Sequence, residues 1–241
     1  VHSLARQIIR ICHLYPRHMS LYGDRGNIAT LVHRAKARGI EVQLQNCEPG
    51  EDVELNNDII MLGGGQDLDQ ARIIPHLLKQ KEKIKESVER GALFFGVCGG
   101  YQLLGKYYQA SSGKKIEGLG LVDMYTESDE SRIIGNLCMY SDSFGLLTGF
   151  ENHAGRTFLN EGVKPLAKIH QGGGNNGSSD RTEGVFMELG KGMLIGTYMH
   201  GCLPQNPRLA DFLLAQRAGD LYPLDDVLES LCKENNLKLN Y

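Results

Sequence analysis

Over its first hundred positions the chain alternates short apolar runs with stretches of helical periodicity. Residues 7–14 carry Ile8, Ile9, Ile11 and Cys12 close together, which predicts a first strand. Tyr22-Gly23-Asp24-Arg25-Gly26-Asn27 is a polar turn rich in residues that start helices. Apolar side chains then recur at Ile28, Leu31, Val32 and Ala35, the spacing of one helix face over residues 28–38, and Gly39 follows as a closing residue. Residues 41–47 alternate like a strand, and residues 58–62 form a third strand ending in Gly63-Gly64-Gly65. Residues 67–90 read as helical with an interruption near Pro75, which lacks the amide a helix interior needs. Leu93-Phe94-Phe95-Gly96-Val97 is short and fully apolar, as a buried strand is, and a short helix starts at Tyr101. Strands alternating with helices predict an α/β fold with a mostly parallel central sheet flanked by helices.

The pattern changes after about Gly118. Residues 120–125, 133–140, 146–150 and 165–169 read as strands joined by polar turns without long helices, an antiparallel or mixed region added to the sheet. Residues 171–181, rich in Gly, Asn and Ser, read as a mobile loop. Residues 193–198 form another apolar strand running into Met199-His200-Gly201, residues 207–217 a helix with proline in its first turn, and residues 224–237 a last helix. With no internal repeat and no linker, residues 1–241 are expected to form one domain.

Composition narrows the function. The chain has 26 basic and 29 acidic residues, net charge −3, and no basic cluster, which counts against a nucleic-acid partner. No apolar run approaches the ~20 residues that span a bilayer, and Arg6 and Arg10 interrupt the N-terminal apolar stretch that a signal peptide would need. The six cysteines are scattered without a C-x-x-C pair, which fits a reducing cytoplasm better than a disulfide framework or a zinc knuckle.

Cys98 stands at the end of the apolar strand 93–97 with glycines on both sides. Strand, tight turn and helix form the elbow on which hydrolases expose a nucleophile. The helix N-terminus favours a thiolate there, and the flanking glycines point to a reactive thiol rather than a buried structural cysteine. A thiolate needs a proton donor and acceptor, usually histidine. His200, at the end of an apolar strand, is favoured over His153, since residues just past the carboxyl ends of parallel strands line the crevice of such sheets. The amides of the Gly63–Gly65 run, with that of Gly99, suit a developing oxyanion. A phosphate loop is the weaker reading, because no G-K-[ST] follows. A plain tight turn is the third.

Taken together, Gly96-Val97-Cys98-Gly99-Gly100-Tyr101-Gln102, the glycine-rich strand end and the late His200 resemble the class I, or triad-type, glutamine amidotransferases. The chain is most similar to their CobB/CobQ-like branch, and within it to the GatD-type subunits of lipid II isoglutaminyl synthases. That narrower resemblance rests on residues 21–28, 34–38, 63–67, 117–120, 125–128, 149–157 and 196–201, among them Leu21-Tyr22-Gly23-Asp24-Arg25-Gly26-Asn27-Ile28 and Glu151-Asn152-His153-Ala154-Gly155-Arg156.

The resemblance implies a flavodoxin-like α/β fold and a glutaminase. Cys98 would attack the side-chain amide of L-glutamine, Gly64 or Gly65 and Gly99 would hold the oxyanion, and His200 would protonate the departing ammonia. Arg132 would bind the α-carboxylate, unless it is a solvated surface arginine; Gln102 would contact substrate, unless it is a surface residue of the helix start. Asn152, His153 and Gly155 would stand near the site in a structural role. Ammonia would pass to a MurT-like, ATP-dependent Mur ligase partner that amidates the D-glutamate of the lipid II stem peptide. The chain itself would need no cofactor and no metal. One departure matters: the wider family carries glutamate two residues after the histidine, where this chain has Cys202. A Cys98–His200 dyad is expected, with Asp24 or Glu151 as candidate replacements. Two alternatives stay open, a glutaminase for another synthetase such as a corrinoid one, and a silent partner-binding module. A metal site through His200 and Cys202 lacks ligands.

Overall fold

The computed structural model describes residues 7–177 and 180–238, so Arg6 lies outside the described residues. In chain order the elements are β1 (Ile8–Leu14), α1 (Asp24–Ala37), β2 (Glu41–Cys47), β3 (Ile59–Leu62), α2 (Asp67–Lys79), α3 (Lys81–Arg90), β4 (Leu93–Val97) and α4 (Gly99–Gln102). There follow β5 (Tyr107–Gln109), β6 (Lys115–Glu117), β7 (Met124–Ser141), β8 (Gly145–Leu159), β9 (Ala167–Gln171) and β10 (Thr182–Glu183). The chain closes with β11 (Val185–Leu189), β12 (Gly192–Thr197), α5 (Cys202–Gln205), α6 (Pro207–Ala218) and α7 (Val227–Lys238).

The first sheet has the order β11-β12-β4-β3-β1-β2. All its pairings are parallel except β11 with β12. Every residue of β3 and β4 is buried, which is why these strands read as unbroken apolar runs. Phe94, Phe95, Ile9, Ile11, Ile59 and Ile60 are among the largest fully buried side chains. Four neighbouring strands, β12, β4, β3 and β1, end on the same edge of the sheet, and the loops that leave them build the site described below.

Two helices differ from the sequence pattern. The first starts at Asp24, four residues earlier than the apolar period, because Asp24, Asn27 and Ile28 are already turned inward. An acid in the first turn also suits the positive end of the helix. The break in residues 67–90 falls at Gln80, not at Pro75, which is accommodated inside α2. Gln80 keeps near-helical angles while its carboxamide bonds the backbone of Val53 and the carboxylate of Asp52, anchoring the joint. Pro207 opens α6 as its fixed φ favours.

The mixed region does not extend the first sheet. It is a second six-stranded sheet, β10-β9-β7-β5-β6 with β8 paired to β7. Its main feature is a long β7–β8 hairpin with a register shift between Ser128 and Ile133. Residues 126–132 are largely polar and mostly exposed, and the sequence pattern breaks where pairing with β8 stops at Ser128 and resumes at Ile133. Residues 171–181, read from composition as a mobile loop, are tied down where they are described. Glu151 accepts the amides of Gly173 and Gly174 at 2.7 and 2.9 Å, and the buried Asn175 accepts the Tyr101 hydroxyl at 2.9 Å. Ser178 and Ser179 of that stretch lie outside the described residues. The two sheets meet through Tyr198 and Thr157, whose hydroxyls are 2.7 Å apart, and through the His200 amide, which donates to the Phe150 carbonyl at 2.8 Å. No helix among the described residues is long and apolar enough to cross a membrane.

Candidate active site

Cys98 follows β4 directly and has φ 49° and ψ −106°, a left-handed conformation that L residues rarely hold. The strain therefore sits on the cysteine itself and not on the glycines beside it. Gly100 is needed for a different reason: a Cβ there would stand 2.1 Å from the carbonyl oxygen of Leu62. The Cys98 amide donates to the Thr197 carbonyl at 2.8 Å, which ties the turn to the neighbouring strand end. The helix after Cys98 is a single turn, Gly99–Gln102, so its macrodipole is much smaller than the sequence pattern suggests.

His200 and Asp24 converge on this turn from the ends of β12 and β1. Both oxygens of Asp24 lie 3.3 Å from His200 Nδ1. The two groups are fully shielded, Asp24 at 0 % and His200 at 2 % exposure. His200 Nε2 is buried and makes no well-formed hydrogen bond, leaving that nitrogen for the Cys98 sulfur. Burial alone would lower the His200 pKa, but the charge of Cys98 and the hydrogen bond that Nδ1–H donates to Asp24 outweigh it and lift the group to about 10. Gly64 shows how close the three come. A Cβ on Gly64 would lie 2.6 Å from His200 Cε1, 3.2 Å from Asp24 Oδ2 and 3.3 Å from Cys98 Cβ.

Of the three glycines expected to cradle an oxyanion, Gly64 is corrected: its amide donates to Asp24 Oδ2 at 2.7 Å and is already engaged. The carboxylate that reaches His200 takes that donor. Gly65 and Gly99 remain, and a Cβ on Gly99 would stand 3.1 Å from the Gly65 nitrogen, so the two lie side by side. Neither amide donates to a protein acceptor among the described residues.

A cavity of about 530 Å³ opens over Cys98 and His200 and is lined on its far side by Asp129, Glu130, Arg132, Asn152 and His153. Asn152 grips Arg132 along its Nε and Nη2 edge at 3.1 and 2.7 Å, and Nη1 has no partner among the described residues. His153 stacks face to face on Tyr198 at 3.5 Å, and burial lowers its pKa against the pull of Glu151. That stacked, neutral ring is packing, which places His153 beside the site without the contact His200 makes.

Gln102 is not the surface residue that a helix start allowed: it is buried, lines the cavity, accepts from Gln70 through Oε1 at 3.0 Å and donates to the Tyr198 hydroxyl through Nε2 at 3.2 Å. Cys202, at the position of the wider family's glutamate, is turned to Asn27 with Sγ 3.7 Å from Oδ1. Burial raises its pKa well above the usual thiol range. Glu151 faces Gly173, Gly174 and His153 and does not reach His200. Among the described residues no group of three or more metal-ligating side chains forms.

Sequence reasoning missed three contributors. Gln70, on the first turn of α2, reaches the cavity beside Gly65. Tyr22 sets its ring edge-on against His200, centroids 5.0 Å apart, and holds φ 49°. Glu183, fully buried, accepts the Tyr198 amide at 2.6 Å and the Thr197 hydroxyl at 3.1 Å, bracing the strand end that carries His200. Tyr22 falls within the 21–28 segment, which gives it no role of its own, and no short motif marks Gln70 or Glu183; each matters through a contact that only the fold creates.

A parallel sheet that presents a cysteine on a strained turn, beside a carboxylate-bound histidine and two free amides, is the arrangement of a glutamine amidotransferase. The chain belongs to the CobB/CobQ-like glutamine amidotransferase domain family, whose model matches residues 10–207. It is 41% identical over 208 residues to the GatD subunit of the glutamine-hydrolysing lipid II isoglutaminyl synthase of Staphylococcus aureus, covering 86% of this chain and 83% of that protein. With the GatD subunit of Streptococcus pneumoniae it shares 39% over 206 residues, 84% of this chain and 77% of that protein. In three dimensions it resembles the glutaminase domain of Trypanosoma brucei CTPS with bound acivicin, with TM-score 0.56 at 14% identity over 89% of this chain and 96% of that one. At that identity the likeness speaks for the fold alone.

Proposed function

We propose that this chain is the glutaminase subunit of a lipid II isoglutaminyl synthase, acting as one domain in which both sheets wall a single cavity. The observation that carries the chemistry is the meeting of Cys98, His200 and Asp24 around Gly64, at the carboxyl ends of adjacent parallel strands. The kinship to two GatD subunits carries the acceptor.

In this reading the Cys98 sulfur attacks the side-chain carbonyl carbon of L-glutamine. The oxygen, now carrying the negative charge, accepts from the Gly65 and Gly99 amides. His200, held protonated with Asp24 on Nδ1, passes its proton to the leaving nitrogen, and ammonia departs from a glutamyl thioester. Neutral His200 then takes a proton from water, hydroxide adds to the thioester, and glutamate leaves as the thiolate re-forms. Arg132 binds the α-carboxylate through the end of its guanidinium that Asn152 does not hold. The ammonia goes to a Mur-ligase-like, ATP-using partner in the cytoplasm, which amidates the D-glutamate of the stem peptide.

The test is transfer. The purified chain, a Mur-ligase-like subunit, ATP and lipid II are supplied with glutamine labelled in its amide nitrogen. Label in the stem peptide that disappears with Cys98→Ala supports the reading. Label released only as free ammonia in every reconstitution sinks the acceptor assignment, while leaving the hydrolysis to be judged separately.

A further inference from the structure

We infer that Gln70 is a positioning residue for the oxyanion cradle, the group that fixes how the Gly65 amide faces the substrate. The inference rests on the glutaminase reading above. Gln70 is 2 % exposed and yet lines the cavity. Its Nε2 donates twice, to the Gly65 carbonyl at 3.3 Å and to Gln102 Oε1 at 3.0 Å. Both partners are acceptors, which fixes the orientation of the carboxamide. The other end, Oε1, is buried with no partner.

A buried acceptor left without a donor is unfavourable, and such atoms in folded proteins call for an explanation. Here the explanation is what the donor end gains. The Gly64 carbonyl is already held by the Leu21 amide at 3.2 Å, so the peptide that carries the Gly65 N–H is pinned from one side. Gln70 pins the next peptide through the Gly65 carbonyl. With both flanking carbonyls held, the Gly65 N–H has one direction left. Gly99 stands beside it: a Cβ on Gly99 would lie 3.1 Å from the Gly65 nitrogen and 3.0 Å from Gln70 Nε2. Glycines bring no side chain to hold such a turn, so a long side chain from α2 does the holding.

The same carboxamide connects the cradle to the rest of the fold. Gln102 hands on to the Tyr198 hydroxyl, which meets Thr157, which meets Thr126 at 2.7 Å. The chain of bonds runs from the Gly65 carbonyl through the turn after Cys98 into the second sheet. Gly155 leaves room for it: a Cβ there would stand 2.3 Å from Gln102 Nε2.

The test separates acyl chemistry from thiol reactivity. Glutamine hydrolysis passes through an oxyanion, whereas alkylation of Cys98 by iodoacetamide displaces iodide and needs no cradle. In the full chain, with its ligase subunit present in a parallel arm, Gln70→Met should lower kcat for glutamate release about 10- to 100-fold, the range a lost cradle donor approaches. KM should stay within about threefold, as expected when an interaction made only in the transition state is removed. The iodoacetamide inactivation rate should stay within about twofold of wild type, since no cradle is involved. Gln70→Asn, which keeps a shorter carboxamide, should fall between Gln70→Met and wild type, and carries the test if the methionine variant does not fold. A kcat at the wild-type level overturns the assignment, as does alkylation that slows in step with kcat. Glutamate release that survives in Cys98→Ala overturns the site reading itself, and the assignment with it.

Discussion

Asp24 and His200 are 176 residues apart in the chain, and both oxygens of the one carboxylate stand 3.3 Å from Nδ1 of the other. The same carboxylate accepts the Gly64 amide at 2.7 Å, so the backbone holds it as well as the imidazole. A buried carboxylate so held fixes the ring tautomer and stabilises the imidazolium, the task an acid performs in a catalytic triad.

Asp24→Asn should therefore lower kcat for glutamate release about 10²- to 10⁴-fold, with KM little changed. Steady-state kinetics with L-glutamine reads this out. A drop of less than about threefold would show that Asp24 has no part in the reaction, since lost triad support is far larger.

Cys202 provides the contrast. It stands where the wider family carries its acid, but it faces Asn27 and is protonated by burial. Cys202→Ala should leave kcat within about threefold, and cost about 1 kcal/mol of stability through lost packing. A loss of activity as large as that of Asp24→Asn, without a change in melting, would return the third position to Cys202.

The difference between these two residues shows what the sequence could carry. The nucleophile, the histidine and the glycine run are local signals, each set by a strand end and legible from a few neighbouring positions. Strand ends of a parallel sheet bring such positions together, so His200 could be favoured over His153 as the partner of Cys98. The acid could not, because the order of strands that sets β1 beside β3, and β3 beside β4, is not written in any local pattern. The second sheet was obscured for another reason. Its hairpin carries polar residues through the middle of β7, where apolar alternation fails and the pairing with β8 shifts register, so one long strand reads as two.

Arg132 lines the cavity, with its Nε and Nη2 edge fixed by Asn152 and Nη1 without a partner among the described residues. Arg132→Ala should raise KM for glutamine at least about tenfold, with a smaller effect on kcat, as expected for binding shared by ground and transition states. Arg132→Lys should recover only part of the loss, because the planar fork is what meets a carboxylate. An unchanged KM in the alanine variant would remove Arg132 from the substrate site.

Glu183 makes stability depend on pH. Burial pushes its carboxyl up to about 8, against the Tyr198 and Thr197 bonds that favour the charged form. An acid whose folded pKa is raised holds its proton more tightly folded than unfolded. Its contribution is thus full below the ordinary glutamate range and falls as pH rises towards about 8. Glu183→Gln cannot ionise. Urea unfolding between pH 5 and 9 should show wild type losing stability relative to this variant by about 1 kcal/mol or more, one pKa unit being 1.36 kcal/mol. Parallel pH profiles for the two proteins would contradict the buried, protonated carboxyl.

The most direct test of the account is glutamate release from L-glutamine by the purified chain, alone and with its ligase subunit, beside Cys98→Ala and His200→Ala. The account predicts release by the wild type in at least the assembled form, and a loss of more than about 10³-fold in each variant, as when a nucleophile or its histidine is removed. Release at the wild-type rate from Cys98→Ala would contradict it, because no other thiol among the described residues stands against His200.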